Sequence, residues 1–279
     1  MDTYGVIGWP VKHSLSPAMH NAAFKALGIN AEYRQFEVKP EELEDFILNR
    51  KDVAGFNITV PHKEKSIAFL DSIDPLARSI GAVNTVVIKE EKLTGYNTDS
   101  YGFIAALKED IDFDIKGKTV FVLGSGGASR AVSFALASSG AKKIILTDLF
   151  LDKVKLLSEN VKKFYPACEI TIAGSKKIYM EKDLGGADLL VNATPIGLKK
   201  DDPLLFDKSA FKKGMSVYDL VYNPERTKLV EAAGNAGLRA SGGLGMLLHQ
   251  GAKSFEFWTG GKAPVEIMRA ALKSALQNP

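Results

Sequence analysis

Residues 118–123 form a short β-prone apolar run, and Gly124-Ser125-Gly126-Gly127-Ala128 follows it without a gap. A helix-forming run comes next at 131–139, with Gly140 placed to close it. Strand, glycine turn and helix in immediate succession leave such a chain few folds. The helix has to carry it back along the sheet before a second strand can lie parallel to the first. That second strand reads at 143–148. A helix at 151–164 follows it, with Val154, Leu157, Val161 and Phe164 on one stripe. Strand-like runs recur at 169–173, 187–192 and 215–221. The alternation predicts a parallel sheet covered on both faces, and a doubly wound, Rossmann-like dinucleotide-binding domain over 101–242.

The glycines also have a chemical reading. At Gly124, Gly126 and Gly127 the backbone can turn tightly and approach a pyrophosphate, and the helix start behind them offers unpaired N–H groups. Ser129 stands where the third glycine of such a turn is usual, and the small Ala128 and Ala131 leave room for close helix–strand packing. A plain strand–helix connector would look similar, so the second strand carries weight. It ends at Asp148, about 20 residues on, where a carboxylate can accept hydrogen bonds from an adenosine ribose. The alternative is a solvated Asp opening the next helix. A carboxylate at that place repels a 2′-phosphate, and Leu149, Phe150 and Leu151 supply no cation to pair with one. NAD is therefore expected, with NADP as the alternative.

The first hundred residues alternate too, with strand-like pieces near 3–8, 31–38, 53–58 and 82–88 and helical ones near 17–27 and 40–49. The stretch 243–277 reads as two helices broken at 259–264, with stripes (Leu244, Leu247, Leu248, Phe255, Trp258; then Ile267, Ala271, Leu272) that need a surface to cover. Packing them on the N-terminal part gives a two-domain α/β chain. Residues 1–100 plus 243–279 then make one domain, the dinucleotide domain is inserted, and a cleft is expected between the two.

At 46% hydrophobic and 25% charged residues over 279 positions, neither disorder nor a fibrous repeat fits. A net charge of +3, with scattered basic residues, gives no reason to expect nucleic acid. Cys168 is the single cysteine, which excludes an intrachain disulfide framework. The four histidines, His13, His20, His62 and His249, show no metal-ligand spacing, so no metal is expected. Packing or loop hydrogen bonding is the ordinary role for each, and His62 is also placed to tune its neighbour Lys63. No apolar run is long enough for a bilayer, and the first residues lack a signal-peptide pattern, so a cytoplasmic setting is expected.

Further polar clusters lie at 14–20, 57–63, 81–85, 95–99, 192–197, 219–224 and 242–250. Together with the glycine turn, in this order and spacing over nearly the whole chain, they closely resemble the shikimate dehydrogenase family. The resemblance implies reversible, nicotinamide-dependent reduction of 3-dehydroshikimate to shikimate. The protein would be a monomer or homodimer, and a small molecule its substrate. It implies Lys63 and Asp99 as the catalytic pair, since the chemistry needs a proton carrier beside the carbonyl oxygen. Burial loosens a lysine's proton while a neighbouring carboxylate holds it, so the pair can share one. Without the resemblance, Lys63 reads as the start of a surface helix and Asp99 as the cap of a helix over 100–108.

The resemblance further implies Ser14 and Ser16 on the substrate carboxylate, and Thr59, Asn84 and Gln250 on the ring hydroxyls. Tyr222 would stand near the carboxylate. Gly124, Ser125, Gly126, Gly127, Ala128 and Asp148 would bind the dinucleotide, with Leu220 and Gly243 lining its nicotinamide end. Ser16-Pro17 also has the pattern of a helix cap followed by a first-turn proline. Asp148-Leu149-Phe150 departs from the Asn-Arg-Ser/Thr cluster that many members carry for the NADP phosphate. It opens the alternative of an NAD-dependent quinate/shikimate dehydrogenase. A non-catalytic nucleotide-sensing relative is a third reading, which intact Lys63 and Asp99 disfavour.

Overall fold

The first strand, β1 (Asp2–Gly8), is buried along its last five residues, as a central strand must be. In the computed structural model, which describes residues 1–49, 52–206 and 208–277, it lies between β2 (Ala31–Glu37) and β3 (Gly55–Ile58), parallel to both. The helix α1 (Ser16–Ala26) connects β1 to β2, and α2 (Leu43–Asn49) precedes β3. The chain then adds β4 (Ser72–Ile73), α3 (Pro75–Ile80), β5 (Thr85–Lys89), β6 (Lys92–Tyr96) and α4 (Asp99–Ile111). The six strands order as β2-β1-β3-β5-β6-β4, and β5 runs antiparallel to both β3 and β6. Ile7, Phe56, Ile58, Val83 and Val86 form the core here, with Leu43 and Phe46 of α2 packed among them.

The expected block of alternating strands and helices is β7 (Thr119–Leu123), α5 (Gly127–Ser138), β8 (Lys143–Thr147), α6 (Leu151–Phe164), β9 (Glu169–Ile172), α7 (Lys177–Leu184), β10 (Leu189–Asn192), β11 (Ser216–Asp219), α8 (Lys228–Asn235) and β12 (Arg239–Ser241). Its sheet has the order β12-β11-β10-β7-β8-β9, and every pairing is parallel. Strand order therefore reverses between β7 and β10. The crevice beyond the strand ends at such a switch point is where open α/β sheets bind ligands. The central strands β10 and β11 are buried throughout, which fits their unbroken apolar sequence.

One difference from the sequence expectation bears on the site. α5 begins at Gly127, not at 131, so the glycine-serine stretch supplies the helix's own first turn. Propensity marks these residues as loop, whereas position at a helix start favours them.

The last helices, α9 (Leu244–Thr259) and α10 (Val265–Gln277), supply the rest of the first sheet's cover. α10 packs along α1. Trp258 of α9 donates from Nε1 to the Val86 carbonyl at 2.9 Å, and its ring lies 5.1 Å from that of Tyr4. By internal contacts the chain divides into Met1–Gly102 with Leu247–Pro279, and Phe103–Met246.

Candidate functional site

Asp99 sits at the start of α4 because Asn97 caps that helix. The Asn97 Oδ1 accepts from the backbone N–H groups of Asp99 at 3.1 Å and Ser100 at 3.4 Å. The capping role that sequence offered for Asp99 thus belongs to Asn97, and the Asp99 carboxylate is free for other partners. It is only 4% exposed. Its Oδ2 accepts from Lys63 Nζ at 2.7 Å, and its Oδ1 accepts from Asn84 Nδ2 at 2.9 Å. The helix dipole of α4 favours a negative charge at this end.

Lys63 does not open a surface helix. A 3₁₀ turn begins at Lys65, and the Lys63 side chain is 15% exposed. Its carbonyl accepts from Val83 N at 2.8 Å, which ties the loop after β3 to the segment just before β5. A salt bridge this sheltered is held in one geometry, unlike surface pairs, whose side chains wander. His62, beside it, donates from Nε2 to the Val38 carbonyl at 2.6 Å, so its ring serves the local fold.

Asn84 is the hub beneath the pair. Its Oδ1 accepts from the Thr98 backbone N–H at 2.7 Å, a group that can only donate. Its Nδ2 faces a carboxylate, which when ionised can only accept. Both ends fix the amide's orientation. The same nitrogen reaches Gln250 Oε1 at 3.3 Å, while Gln250 Nε2 donates to the Leu247 carbonyl at 2.8 Å. Gln250 interrupts an otherwise apolar face of α9, and this partner accounts for it. Lys63, Asp99, Asn84 and Gln250 are thus brought together from four separate stretches of sequence.

Ser14 and Ser16 correct the sequence expectation in detail. α1 starts at Ser16, the preceding cap position is Leu15, and no side chain of that residue caps the helix. The capping-type bond comes instead from Ser14, whose Oγ accepts from Ser16 N at 3.3 Å. That leaves the Ser14 hydroxyl hydrogen free for an anion. The Ser16 hydroxyl is buried and meets the phenol of Tyr33. Thr59 is half-buried, and its N–H donates to the Ile7 carbonyl at 2.9 Å.

In the second sheet, Gly124 adopts φ +106°, a region side chains resist, and a Cβ there would stand 2.8 Å from the Ala193 carbonyl oxygen. The turn therefore passes hard against the end of β10. Gly126 occupies the cap position of α5 with no side-chain cap, and a Cβ there would meet open space. Uncapped N–H groups facing open space fit a pyrophosphate. Ser129 Oγ donates back to the Gly124 carbonyl at 2.6 Å and locks the turn. Asp148 lies just past β8, where its Oδ2 accepts from Ser125 Oγ at 2.7 Å. Turn and carboxylate are in direct contact, as one dinucleotide site would require.

Leu220 and Gly243 are also neighbours. A Cβ at 243 would collide with the Leu220 carbonyl oxygen, and Gly243 N donates to Val221 O at 3.0 Å. Tyr222 follows in the same turn, and burial raises its phenol above the usual range.

The sequence reading did not single out Asn57, Thr85, Asn97, Thr98 and Ser254, which are buried polar side chains around the pair. Their signal was a polar residue inside a stretch otherwise buried, as Asn57 is within β3. Among the described residues, no group of three His, Cys, Asp or Glu could hold a metal ion. Nor is any helix among them long and apolar enough to cross a membrane.

Residues 6–86 match the shikimate dehydrogenase substrate binding domain, and residues 243–273 the shikimate 5′-dehydrogenase C-terminal domain. A relative from Methanopyrus kandleri, named shikimate dehydrogenase (NADP(+)), is 46% identical over 98% of this chain and 95% of its own. The crystal structure of shikimate 5-dehydrogenase from Thermus thermophilus, in complex with NADP(H) and shikimate, superposes with a TM-score of 0.88. It is 36% identical and covers 99% of this chain and 100% of that one. Quinate dehydrogenase from Corynebacterium glutamicum in complex with NAD gives a TM-score of 0.87 at 32% identity, covering 98% and 99% of the two chains.

Proposed function

Since the chain belongs to the shikimate dehydrogenase family, we propose that it catalyses the reversible reduction of 3-dehydroshikimate to shikimate, with Lys63 and Asp99 as the proton-transfer pair. The observation that carries the reading is the sheltered 2.7 Å contact between Lys63 Nζ and Asp99 Oδ2, set beside Asn84 and Gln250. A nicotinamide cofactor supplies the hydride exchange. In the reducing direction the Lys63 ammonium gives a proton to the carbonyl oxygen as negative charge grows there, and Asp99 holds the lysine in line. In the oxidising direction the pair takes that proton back.

Asn84 and Gln250 orient the ring hydroxyls in this reading. Their mutual contact, at 3.3 Å, is the longest that Asn84 makes and the one a substrate hydroxyl can replace. Sites that pair buried polar groups with substrate hydroxyls reject analogues lacking them. Thr59 adds a further hydroxyl, and Ser14, with its hydrogen unspent, binds the carboxylate together with Tyr222, while Ser16 joins them by turning its hydroxyl from Tyr33 to the substrate.

Gly124, Ser125, Gly126, Gly127 and Ala128 would hold the pyrophosphate, and Leu220 and Gly243 the nicotinamide end. Asp148 would hold the adenosine ribose, which makes NAD the favoured cofactor. Leu149 and Phe150 beside it are exposed and apolar and offer no charge to a 2′-phosphate. In this the chain would differ from the Methanopyrus kandleri relative, whose name specifies NADP(+).

Steady-state rates on shikimate and on quinate, each with NAD and with NADP, test the reading. Shikimate with NAD should give the highest kcat/KM, with NAD ahead of NADP by more than about tenfold, given that like charges in contact cost several kcal/mol. A clear NADP preference would overturn the cofactor assignment, and a quinate preference the substrate. NAD binding without turnover of either compound would indicate a sensing module.

A further inference from the structure

Ser254 lies on α9 one turn beyond Gln250 and is fully buried. Its Oγ is 2.8 Å from Thr85 Oγ1 and 3.2 Å from Thr98 Oγ1, accepts from Asn57 Nδ2 at 3.0 Å, and donates to the Gln250 carbonyl at 3.0 Å. Two of these partners fix the hydroxyl. The Gln250 carbonyl can only accept and the Asn57 amide nitrogen can only donate. The single Ser254 hydrogen therefore goes to Gln250, and its lone pairs are left for Asn57 and the threonines.

The threonines in turn have one hydrogen each to place. Thr85 Oγ1 is 3.1 Å and Thr98 Oγ1 is 3.2 Å from Asn84 Oδ1. Spent on Ser254, that hydrogen is lost to Asn84 Oδ1, but Thr98 Oγ1 still accepts from Asn84 Nδ2 at 2.9 Å, so the donors run from Asn84 through Thr98 and Ser254 to the Gln250 carbonyl. Asn84 is the amide whose nitrogen meets Asp99 Oδ1. On the far side, Asn57 Oδ1 accepts from Tyr33 Oη at 2.7 Å, so Asn57 cannot swing away to compensate for a lost partner. Helix formation gives no reason for a hydroxyl at this position, because alanine forms helix better and has no buried polar atom to satisfy.

We propose that Ser254 is a positioning residue for proton transfer: through Thr98 it holds the Asn84 amide, and through Asn84 the Asp99 carboxylate, in line with Lys63. The proposal rests on the reading of Lys63 and Asp99 as the proton-transfer pair. Ser254 touches none of the reacting groups. Its action is to leave Asn84 one hydrogen-bonding arrangement, which keeps Asp99 Oδ1 occupied and Oδ2 toward the ammonium.

The test compares Ser254→Ala and Ser254→Thr with the unaltered full-length protein in shikimate oxidation. Ser254→Ala should lower kcat about tenfold, the scale expected for slight misplacement of a reacting group. KM for shikimate should rise by less than kcat falls, since Asn84 and Gln250 also meet the ring hydroxyls. The acid and alkaline limbs of the kcat pH profile should move toward each other, because a less well-held carboxylate stabilises the ion pair less. Ser254→Thr keeps the hydroxyl and should restore both limbs. An unchanged profile in Ser254→Ala would overturn the proposal, as would a fall in kcat that follows a lowered Tm while both limbs stay in place. If Ser254→Ala does not fold, Ser254→Cys, similar in size but a weak hydrogen-bond former, is judged by the same limbs. Failure of the unaltered protein to turn over shikimate would instead overturn the underlying reading, and this inference with it.

Discussion

Asp219 shows how a single buried carboxylate can govern a loop. It closes β11 and is fully buried. Its Oδ2 accepts from Thr227 Oγ1 at 2.6 Å, and its Oδ1 from Asn192 Nδ2 at 2.8 Å and Val221 N at 3.1 Å. It thereby joins the end of β10, the turn before Tyr222 and the cap of α8. Burial nevertheless dominates and pushes its carboxyl up to about 6. The folded form then holds a proton more tightly than the unfolded chain does. This residue's contribution to stability therefore rises as pH falls from about 6 toward 4, and at pH 7 its charge is a net cost. Chemical denaturation of the unaltered protein and of Asp219→Asn should show it: the difference in unfolding free energy between pH 7 and pH 5 shifts by roughly 1–2 kcal/mol. Parallel pH dependence in the two proteins would show that Asp219 titrates normally. Sequence could not supply this, because nothing local says that an Asp at a strand end will be sealed from water. The serines teach the same lesson. Their role near an anion rests on a motif, but which one caps α1 depends on where the helix starts.

Among the elements, those marked by an apolar run or stripe were legible even when short, and those marked only by their turns were not. β7, β8 and α6 fall where their apolar spacing puts them. The strand expected near 82–88 is β5, but the antiparallel pair β5–β6 is not announced, for an identifiable reason. Its two-residue turn is Glu90-Glu91, with φ +50° and +62°, where Asn-Gly would be usual. The chain forms this turn without the residues that announce it. Each of these glutamates sits in a left-handed conformation that costs about 1 kcal/mol or more. Replacing the pair by Asn-Gly should therefore raise the unfolding free energy by about 1 kcal/mol and leave kcat unchanged. Equal or lower stability would mean that the turn is not of this type. α3 is the opposite case, a helix whose signal was present in sequence. Asp74 accepts from Leu76 N and Ala77 N, Pro75 follows it, and Gly81 ends the helix at φ +72°. Its brevity hid it, since six residues are too few for a stripe to emerge.

At the scale of the whole molecule, the two sheets divide the chemistry. Hydroxyls, amides and the ion pair gather in the unit built from the chain's two ends, while the glycine turn and Asp148 belong to the unit of the parallel sheet that the chain forms in between. The family motifs made this division visible in sequence, because they span both parts in order. The supporting layer of Asn57, Thr85, Thr98 and Ser254 stayed hidden, since its members are far apart in the chain and meet only through folding. The division predicts that damage to the ion pair spares cofactor binding. The most direct measurement is kcat for shikimate oxidation in Lys63→Ala, paired with the Kd for NAD of the same protein. With Lys63 as the proton carrier, kcat should fall by about 10²-fold or more, the usual worth of a positioned acid–base group, while Kd stays within about twofold. A fall in kcat of only a few-fold, with Kd unchanged, would contradict the account.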